Sequence, residues 1–308
     1  MSVNILYILR EATAFLKRSG IEDAERDAEI ILTHCLGIDR VTLYRDNPVV
    51  SEKQAEQIDK FLTRRSKREP LHYIIGYIEF YGLKIKTGKG VLIPRPETEV
   101  LVEEAIKAVT SYKLQVTSKD KDSSLITHYS LLNILDLCTG SGCVALALAR
   151  EFHDAHVYGT DTSEIAIRNA KKNTELNSIT NVTFLKGNLF EPIKKQLSSH
   201  ASHITFDLIV SNPPYVRIDE IKDLQPEIKD WEPVEALNGG EDGLDYYRMI
   251  IPEAKIYLKE GGHLLFEIGA SQADSVRKMV KDAGFTDVLL IKDYAGIERI
   301  LRAKLGIV

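Results

Sequence analysis

Asn212-Pro213-Pro214-Tyr215 joins hydrogen-bond acceptors to an aromatic face on a stiff backbone. The Asn212 side-chain carbonyl accepts, and so does the backbone carbonyl of Pro213. Neither proline has an N–H, and each holds the residue before it in extended geometry. Such a hook suits a planar –NH2 group, because it can take both hydrogens and leave the nitrogen lone pair facing a second reactant. The stretch before it, Phe206-Asp207-Leu208-Ile209-Val210, is an apolar run of the kind that forms a buried parallel strand. In an open α/β sheet, ligands sit outside the carboxyl ends of the strands, so the hook points at a site. The plain alternative is a proline-rich turn in which Asn212 is an ordinary turn residue.

Asp136-Leu137-Cys138-Thr139-Gly140-Ser141-Gly142 ends another strand and opens a helix. Gly140 and Gly142 let the backbone turn tightly and approach a ligand, and the helix start offers free N–H groups. One strand later Asp161 ends Val157-Tyr158-Gly159-Thr160, where a carboxylate can accept both ribose hydroxyls. One strand further, Asn188 can bond an adenine amino group while Leu189 or Phe190 packs on the ring. Gly140-x-Gly142-x-x-Ala145, with Asp161 about 20 residues on, also satisfies the dinucleotide fingerprint. Asp136 argues against that cofactor. A carboxylate there opposes a pyrophosphate and suits the ammonium of an amino-acid-like ligand. S-adenosylmethionine has that ammonium and lacks a phosphate, so a methyl donor is expected over a nicotinamide.

These residues need a frame. From Asn133 the pattern alternates strand and helix: strands at Asn133–Leu137, His156–Thr160, Val182–Lys186, Phe206–Val210, Gly262–Ile268, Val288–Lys292 and Ile297–Ala303. Helices fall between most of them, including a short one after Pro192. Such repetition implies a parallel, doubly wound sheet. The last two strands have no helix between them and should pair antiparallel. Upstream, three helical patterns fill the first 70 residues. One stops at Gly37, a C-cap, and one starts at Ser51 with Gln54 completing a capping box. The basic run Arg64, Arg65, Lys67, Arg68 reads as a solvated helix face or as a contact for an acidic partner. Residues 71–92 alternate with period 2 through Tyr73, Ile75 and Tyr77 and suggest a β-hairpin. Pro96 or Glu97 can begin a helix, and the flanking prolines rigidify Arg95. Residues 113–131 are polar and read as a linker or surface loop.

The 308 residues suggest two domains, and 44% hydrophobic with 28% charged is ordinary for a globular chain. A net charge of −5 argues against a protein that coats duplex DNA. Cys35, Cys138 and Cys143 form no metal-ligand spacing and fit a reducing compartment. No secretory segment or membrane helix is visible, so Asn181-Val182-Thr183 carries little weight as a glycosylation acceptor. His72 and His263 are read as structural.

Together these residues resemble the family that methylates the glutamine side-chain amide of peptide chain release factors. The resemblance covers nearly the whole chain. It includes Pro70–Gly76, Leu92–Glu99, the glycine loop, Asn212–Tyr215, Glu232-Pro233, Ala236–Leu244 and Asp293–Arg299. The hook alone is shared with adenine and cytosine amino-methyltransferases, whereas Ile93-Pro94-Arg95-Pro96-Glu97 and the helical N-terminus are more particular to the release-factor enzymes. This chain has Cys138 where that family often has glycine, Asn188 where it often has aspartate, and Leu189 where some members carry an aromatic.

The expected fold is α/β: a doubly wound, Rossmann-like class I methyltransferase sheet of seven strands, the last pair antiparallel. Residues 1–70 would be a helical bundle that helps dock the release factor, 71–92 a β-hairpin linker, and 93–308 the methyltransferase domain. The resemblance implies S-adenosyl-L-methionine as cofactor, met by Asp136, Cys138, Thr139, Gly140, Ser141, Gly142, Asp161, Asn188, Leu189 and Asn212. It implies a substrate glutamine, within Gly-Gly-Gln, held by Asn212, Pro213, Pro214 and Tyr215. Arg95 and Glu97 are expected to help close the pocket, and Asn212, Pro213 and Tyr215 to carry catalysis. The partners are then release factors, with neither membrane nor direct nucleic acid, in the cytoplasm. The rival readings are a nucleic-acid amino-methyltransferase and a non-catalytic scaffold for release factors.

Overall fold

The computed structural model describes residues 3–119, 132–197 and 204–306. Two compact units emerge, residues 1–77 with 224–232, and residues 78–223 with 233–308.

The first unit begins with strand β1 (Val3–Asn4) and helices α1 (Ile5–Arg18), α2 (Ala24–Leu36) and α3 (Arg40–Asp46). Strand β2 (Val49–Val50) pairs antiparallel with β1, and helices α4 (Glu52–Ser66) and α5 (Leu71–Ile75) follow. The apolar spacing explains the bundle. Ile5, Leu9, Ala12 and Leu16 fall on one face of α1 and meet Ala28, Ile31, Leu32, Ile58 and Leu62. Gly37 is left-handed at the end of α2, and the Ser51–Gln54 capping box is formed.

Two expectations for this unit are corrected. Residues 71–75 form a helical turn, not a strand. Adjacent Tyr73 and Ile74 are both buried, and left-handed Gly76 ends the turn, so the Tyr73–Ile75 alternation is accidental. The basic run is also only in part a solvated face: Lys67 is exposed, but the three arginines meet acids of the same unit. Arg65 is buried; its Nε donates to Asp27 at 2.6 Å and its Nη1 to Glu227 at 2.9 Å. Arg68 donates to the other Glu227 oxygen at 2.7 Å, and Arg64 to Glu69 at 2.8 Å.

The second unit takes up the hairpin β3 (Tyr77–Phe80) and β4 (Leu83–Lys86) from Ile78 onward. The expected hairpin is present within 71–92, and its strands are hydrogen-bonded into the second unit. Asn173 on a later helix and Asn177 at its C-terminal cap accept from Lys86 and Lys84 backbone N–H groups at 2.7 and 3.1 Å. Helix α6 (Glu97–Lys119) follows, so residues 113–119, expected as a loop, are helical. Lys113, Leu114 and Gln115 are good helix formers. The rest of that expected loop, 120–131, lies outside the described residues.

Then come β5 (Asn133–Leu137), α7 (Cys143–Glu151), β6 (His156–Asp161), α8 (Glu164–Leu176), β7 (Val182–Lys186) and α9 (Glu191–Leu197). Pro192 lies in the first turn of α9, where its missing N–H is not needed. Asn181 is a structural lock, its amide donating to the Ala149, Phe152 and Ala155 carbonyls at 3.0, 3.0 and 3.1 Å. Next are β8 (Phe206–Ser211) and α10 (Pro226–Lys229), the latter in the first unit. Helix α11 (Asp245–Tyr257), β9 (Leu258–Glu267), α12 (Ala273–Asp282), β10 (Phe285–Lys292) and β11 (Glu298–Leu305) complete the chain.

The seven-stranded order is β10-β11-β9-β8-β5-β6-β7. Strands β9, β8, β5, β6 and β7 run parallel, while β11 lies antiparallel to both β9 and β10. Period-2 alternation sorts the side chains. Ile134, Leu208, Val210 and Leu265 face the core under α6, α7 and α8. Leu135, Leu137, Ile209, Leu264 and Phe266 face the core under α11 and α12. Apolar residues on both faces of every central strand require helices on both sides.

Candidate active site

From β5 the chain steps to β6 and β7, then crosses back to lay β8 on the other side of β5. The crevice at this reversal is where open α/β sheets bind ligands. Register sets what lines it. Leu137 pairs with Thr160 on one side and Ser211 on the other, and Ser211 pairs with Phe266. One residue beyond that level come Cys138, Asp161, Asn212 and Glu267. Four strand ends thus deliver their next residue to one place.

A cavity of about 360 Å³ opens there. Its lining includes Asp136, Cys138, Thr139, Gly140, Ser141, Asp161, Asn188 and Leu189, with Asn212, Pro214 and Arg95. Glu97, Gly142, Pro213 and Tyr215 are not among its lining residues. Gly142 has another duty: a Cβ there would stand 2.8 Å from the Phe184 ring and 2.9 Å from the Ala170 Cβ, so the glycine lets α7 and α8 close over β7. Around Gly140 the nearest atom to an added Cβ is 4.0 Å away, so open space faces the loop. Cys138 sits at φ +58°, a left-handed conformation that costs a non-glycine residue about 1 kcal/mol.

The carboxylates are held by neutral donors. Asp136 is buried, and its Oδ2 accepts from the Thr139 hydroxyl at 2.6 Å and the Ala145 N–H at 3.2 Å. Burial pushes its carboxyl up to about 7, against the pull of those two bonds, and nearby Asp161 adds to the rise. Asp161 accepts from Gly140 N–H at 2.9 Å and Ser163 N–H at 2.8 Å, one on each oxygen. Burial raises its carboxyl too. Each oxygen keeps a lone pair, which two neighbouring hydroxyls can use.

The hook is clamped from behind. Val216 and Asn238 form a parallel bridge, and the glycines after Asn238 allow close approach. A Cβ on Gly239 would fall 2.8 Å from the Pro214 oxygen, and one on Gly243 would fall 2.5 Å from the Tyr215 oxygen. Gln272 Nε2 donates to the Tyr215 carbonyl at 2.8 Å and to the Gly243 carbonyl at 3.1 Å. At the front, Asn212 Nδ2 donates to Thr98 Oγ1 at 3.2 Å, and the Thr98 hydroxyl donates to Glu267 Oε2 at 2.6 Å. The Tyr215 hydroxyl donates to Glu267 Oε1 at 3.2 Å. Burial, and then the charge of Glu267, raise the Tyr215 phenol far above its ordinary range, so it stays protonated.

Thr98, Glu267 and Gln272 were missed as functional residues. A signal existed for Glu267: like Asp136 and Asp161, it is an acid near the end of an apolar strand. Neither histidine enters the cavity lining. His72 Nδ1 lies 3.2 Å from the Tyr77 carbonyl, and burial lowers His263, in the middle of β9 four residues before Glu267, to about 4.

A switch-point crevice with acids after successive strands and an acceptor hook defines a methyltransferase site. A methyltransferase-domain family model matches residues 128–293, and a PrmC N-terminal domain model matches residues 8–76. A METTL16 methyltransferase domain shares the fold at TM-score 0.50 and 18% identity, covering 74% of this chain and 90% of its own. A release factor glutamine methyltransferase of Thermodesulfovibrio yellowstonii is 47% identical over 90% of this chain and 91% of its own length. One from Geobacter sulfurreducens is 40% identical over 97% and 96%. The chain belongs to the release factor glutamine methyltransferase family.

Proposed function

We propose that the protein methylates the side-chain amide nitrogen of glutamine in the Gly-Gly-Gln tripeptide of peptide chain release factors, with S-adenosylmethionine as donor. The observation that carries this reading is the Asn212 amide. Its Nδ2 is committed to Thr98, which leaves Oδ1 to accept from a ligand –NH2 in the cavity. The names of the relatives point to the same substrate class.

The cavity residues fit that cofactor. The open space at Gly140 admits a ligand against the loop, Asp161 suits a ribose diol, and buried Asp136 suits an ammonium. S-adenosylmethionine, when bound, supplies an electrophilic methyl on a sulfonium sulfur. Asn188 and Leu189 are assigned to the adenine end.

The chain's own task is alignment. An amide nitrogen is a weak nucleophile because its lone pair is delocalised into the carbonyl. Asn212 Oδ1 and the Pro213 carbonyl would take the two amide hydrogens, at about 1 kcal/mol net per bond in the ground state. As positive charge builds on nitrogen the same acceptors stabilise it more. Orientation of this kind contributes on the order of 7–11 kcal/mol to a barrier. The proton leaves after methyl transfer, so no strong base is needed, and Tyr215 is not one. Tyr215 stands outside the cavity lining, so its ring is assigned to packing behind the hook, and it would present a negative face to the developing charge only if substrate reached it. Arg95 is assigned to closing the pocket from its lining position, with Glu97 on the adjoining helix start. Docking of the release factor is assigned to the bundle, and the expected cytoplasmic setting belongs to this same reading.

The test is incubation with methyl-labelled cofactor and either a release factor or duplex DNA, followed by mass spectrometry of the peptides. A single added methyl on the Gly-Gly-Gln glutamine is the expected result. Label in DNA alone, or none in the release factor, overturns the reading.

A further inference from the structure

We infer that Thr98 and Glu267 are positioning residues that decide which way the Asn212 amide faces. The inference rests on the proposed amide-capturing role of Asn212. An asparagine can present either its oxygen or its –NH2 to a ligand, and the two ends have nearly the same shape. Only the oxygen can hold a substrate –NH2, so something must remove the other orientation.

The hydrogen-bond chain does so by proton count. Glu267 is 1% exposed and Thr98 is 2% exposed, so neither can turn to water instead. Glu267 accepts a hydroxyl on each oxygen, Thr98 on Oε2 and Tyr215 on Oε1, so both ends of the carboxyl act as acceptors. The Thr98 hydroxyl has a single proton, and it goes to Glu267 Oε2 at 2.6 Å. Thr98 Oγ1 can then only accept from its other neighbour. The Asn212 atom 3.2 Å away must be the donor Nδ2. Reversing the amide would set oxygen against oxygen at that 3.2 Å separation, a repulsive contact in place of a hydrogen bond. Glu267 therefore dictates the outward face of Asn212 through one intervening hydroxyl. Its second oxygen takes the Tyr215 hydroxyl, so one carboxylate holds both polar side chains of the hook.

The arrangement also accounts for the proline-flanked segment before α6. Thr98 is the second residue of that helix, and its N–H donates to the Arg95 carbonyl at 3.1 Å. Pro94 and Pro96 stiffen the approach. The rigidity that the sequence shows around Arg95 fixes where the Thr98 hydroxyl stands.

The test compares Thr98→Val, Thr98→Ser and Glu267→Gln with the parent on release factor, reading kcat, KM and cofactor affinity by calorimetry. Valine keeps the shape and removes the hydroxyl; serine restores it. Glutamine keeps the volume but can donate to Thr98, which frees the hydroxyl proton to turn to Asn212. The expected result is a kcat loss of about tenfold or more in Thr98→Val, recovery in Thr98→Ser to within threefold of the parent, and a loss above threefold in Glu267→Gln. Cofactor affinity should stay within threefold throughout. The inference is overturned if either damaging variant keeps kcat within threefold, if serine fails to rescue, or if cofactor affinity falls in parallel, since that would mean a collapsed site. An inactive parent would instead remove the proposed function itself.

Discussion

The two ends of the large sheet hold buried carboxylates in opposite ways. At the amino end of β8, Asp207 receives the Lys259 ammonium on both oxygens, at 2.9 and 2.8 Å, and the Asn133 N–H at 2.9 Å. At the carboxyl ends, Asp136, Asp161 and Glu267 are held by hydroxyls and backbone N–H groups. A carboxylate matched by an ammonium has spent its charge inside the protein. One held by neutral dipoles keeps a charge to offer, and burial makes that charge costly until a ligand meets it. All three carboxyl-end acids are shifted upward for this reason. The amino end pairs its carboxylate with a cation of the chain, and the carboxyl end holds its three with neutral donors, as the proposed binding role requires.

Removing the hook acceptor should break the carboxyl end most severely. Asn212→Ala is expected to keep the melting temperature and lower kcat on release factor by about 10²–10³, the scale of a lost preorganised hydrogen-bonding group. Normal turnover by that variant in a labelled-methyl assay would show that the hook does not capture the amide.

Asp161→Ala is expected to weaken S-adenosylmethionine by roughly 10- to 100-fold, the worth of one or two bonds to a charged acceptor. Calorimetry reporting an unchanged Kd would remove the ribose assignment.

Asp136 gives the comparison a pH signature. Its folded value of about 7 lies above the ordinary carboxylate value it regains on unfolding. Its contribution to stability is therefore full below about pH 4 and lost as pH rises through about 7. The unliganded protein should lose melting temperature between pH 5 and 8 by this contribution. An ammonium beside the carboxylate would pull its value back down. Cofactor binding near pH 7 should then release a fraction of a proton, and the cofactor-induced rise in Tm should grow with pH. Calorimetry in buffers of different ionisation enthalpy reads the proton directly, and Asp136→Asn should abolish it.

At the other end, Asp207→Asn is expected to cost about 1–3 kcal/mol in denaturant unfolding while leaving kcat and KM within twofold. A kinetic effect larger than the stability effect would erase the distinction between the two ends.

Much of this was legible in local sequence. The hook, the glycine loop and Asp161 each announce themselves within a few residues, through proline, glycine or an acid ending an apolar run. The helix caps at Gly37 and Ser51 are equally local. Helix α3 was overlooked, although Asp39 caps it by accepting from Thr42 N–H at 2.7 Å. Period-2 alternation misled at residues 71–75, where five residues cannot separate a strand from a single helical turn.

From Asn133 onward the sequence alone determined the alternation of sheet strands and helices, the doubly wound class and the residues that end the parallel strands, because these follow from the nearest neighbours along the chain. Only the tertiary structure decided which distant side chains complete them. Glu267 meets Thr98 across 169 positions, and Arg65 meets Glu227 across 162. No periodicity encodes such pairs, since they arise from the register of β9 beside β8 and from the docking of 224–232 within the first unit. A lone threonine and a lone glutamate carry no pattern until the folded chain places one hydroxyl between a carboxylate and an amide.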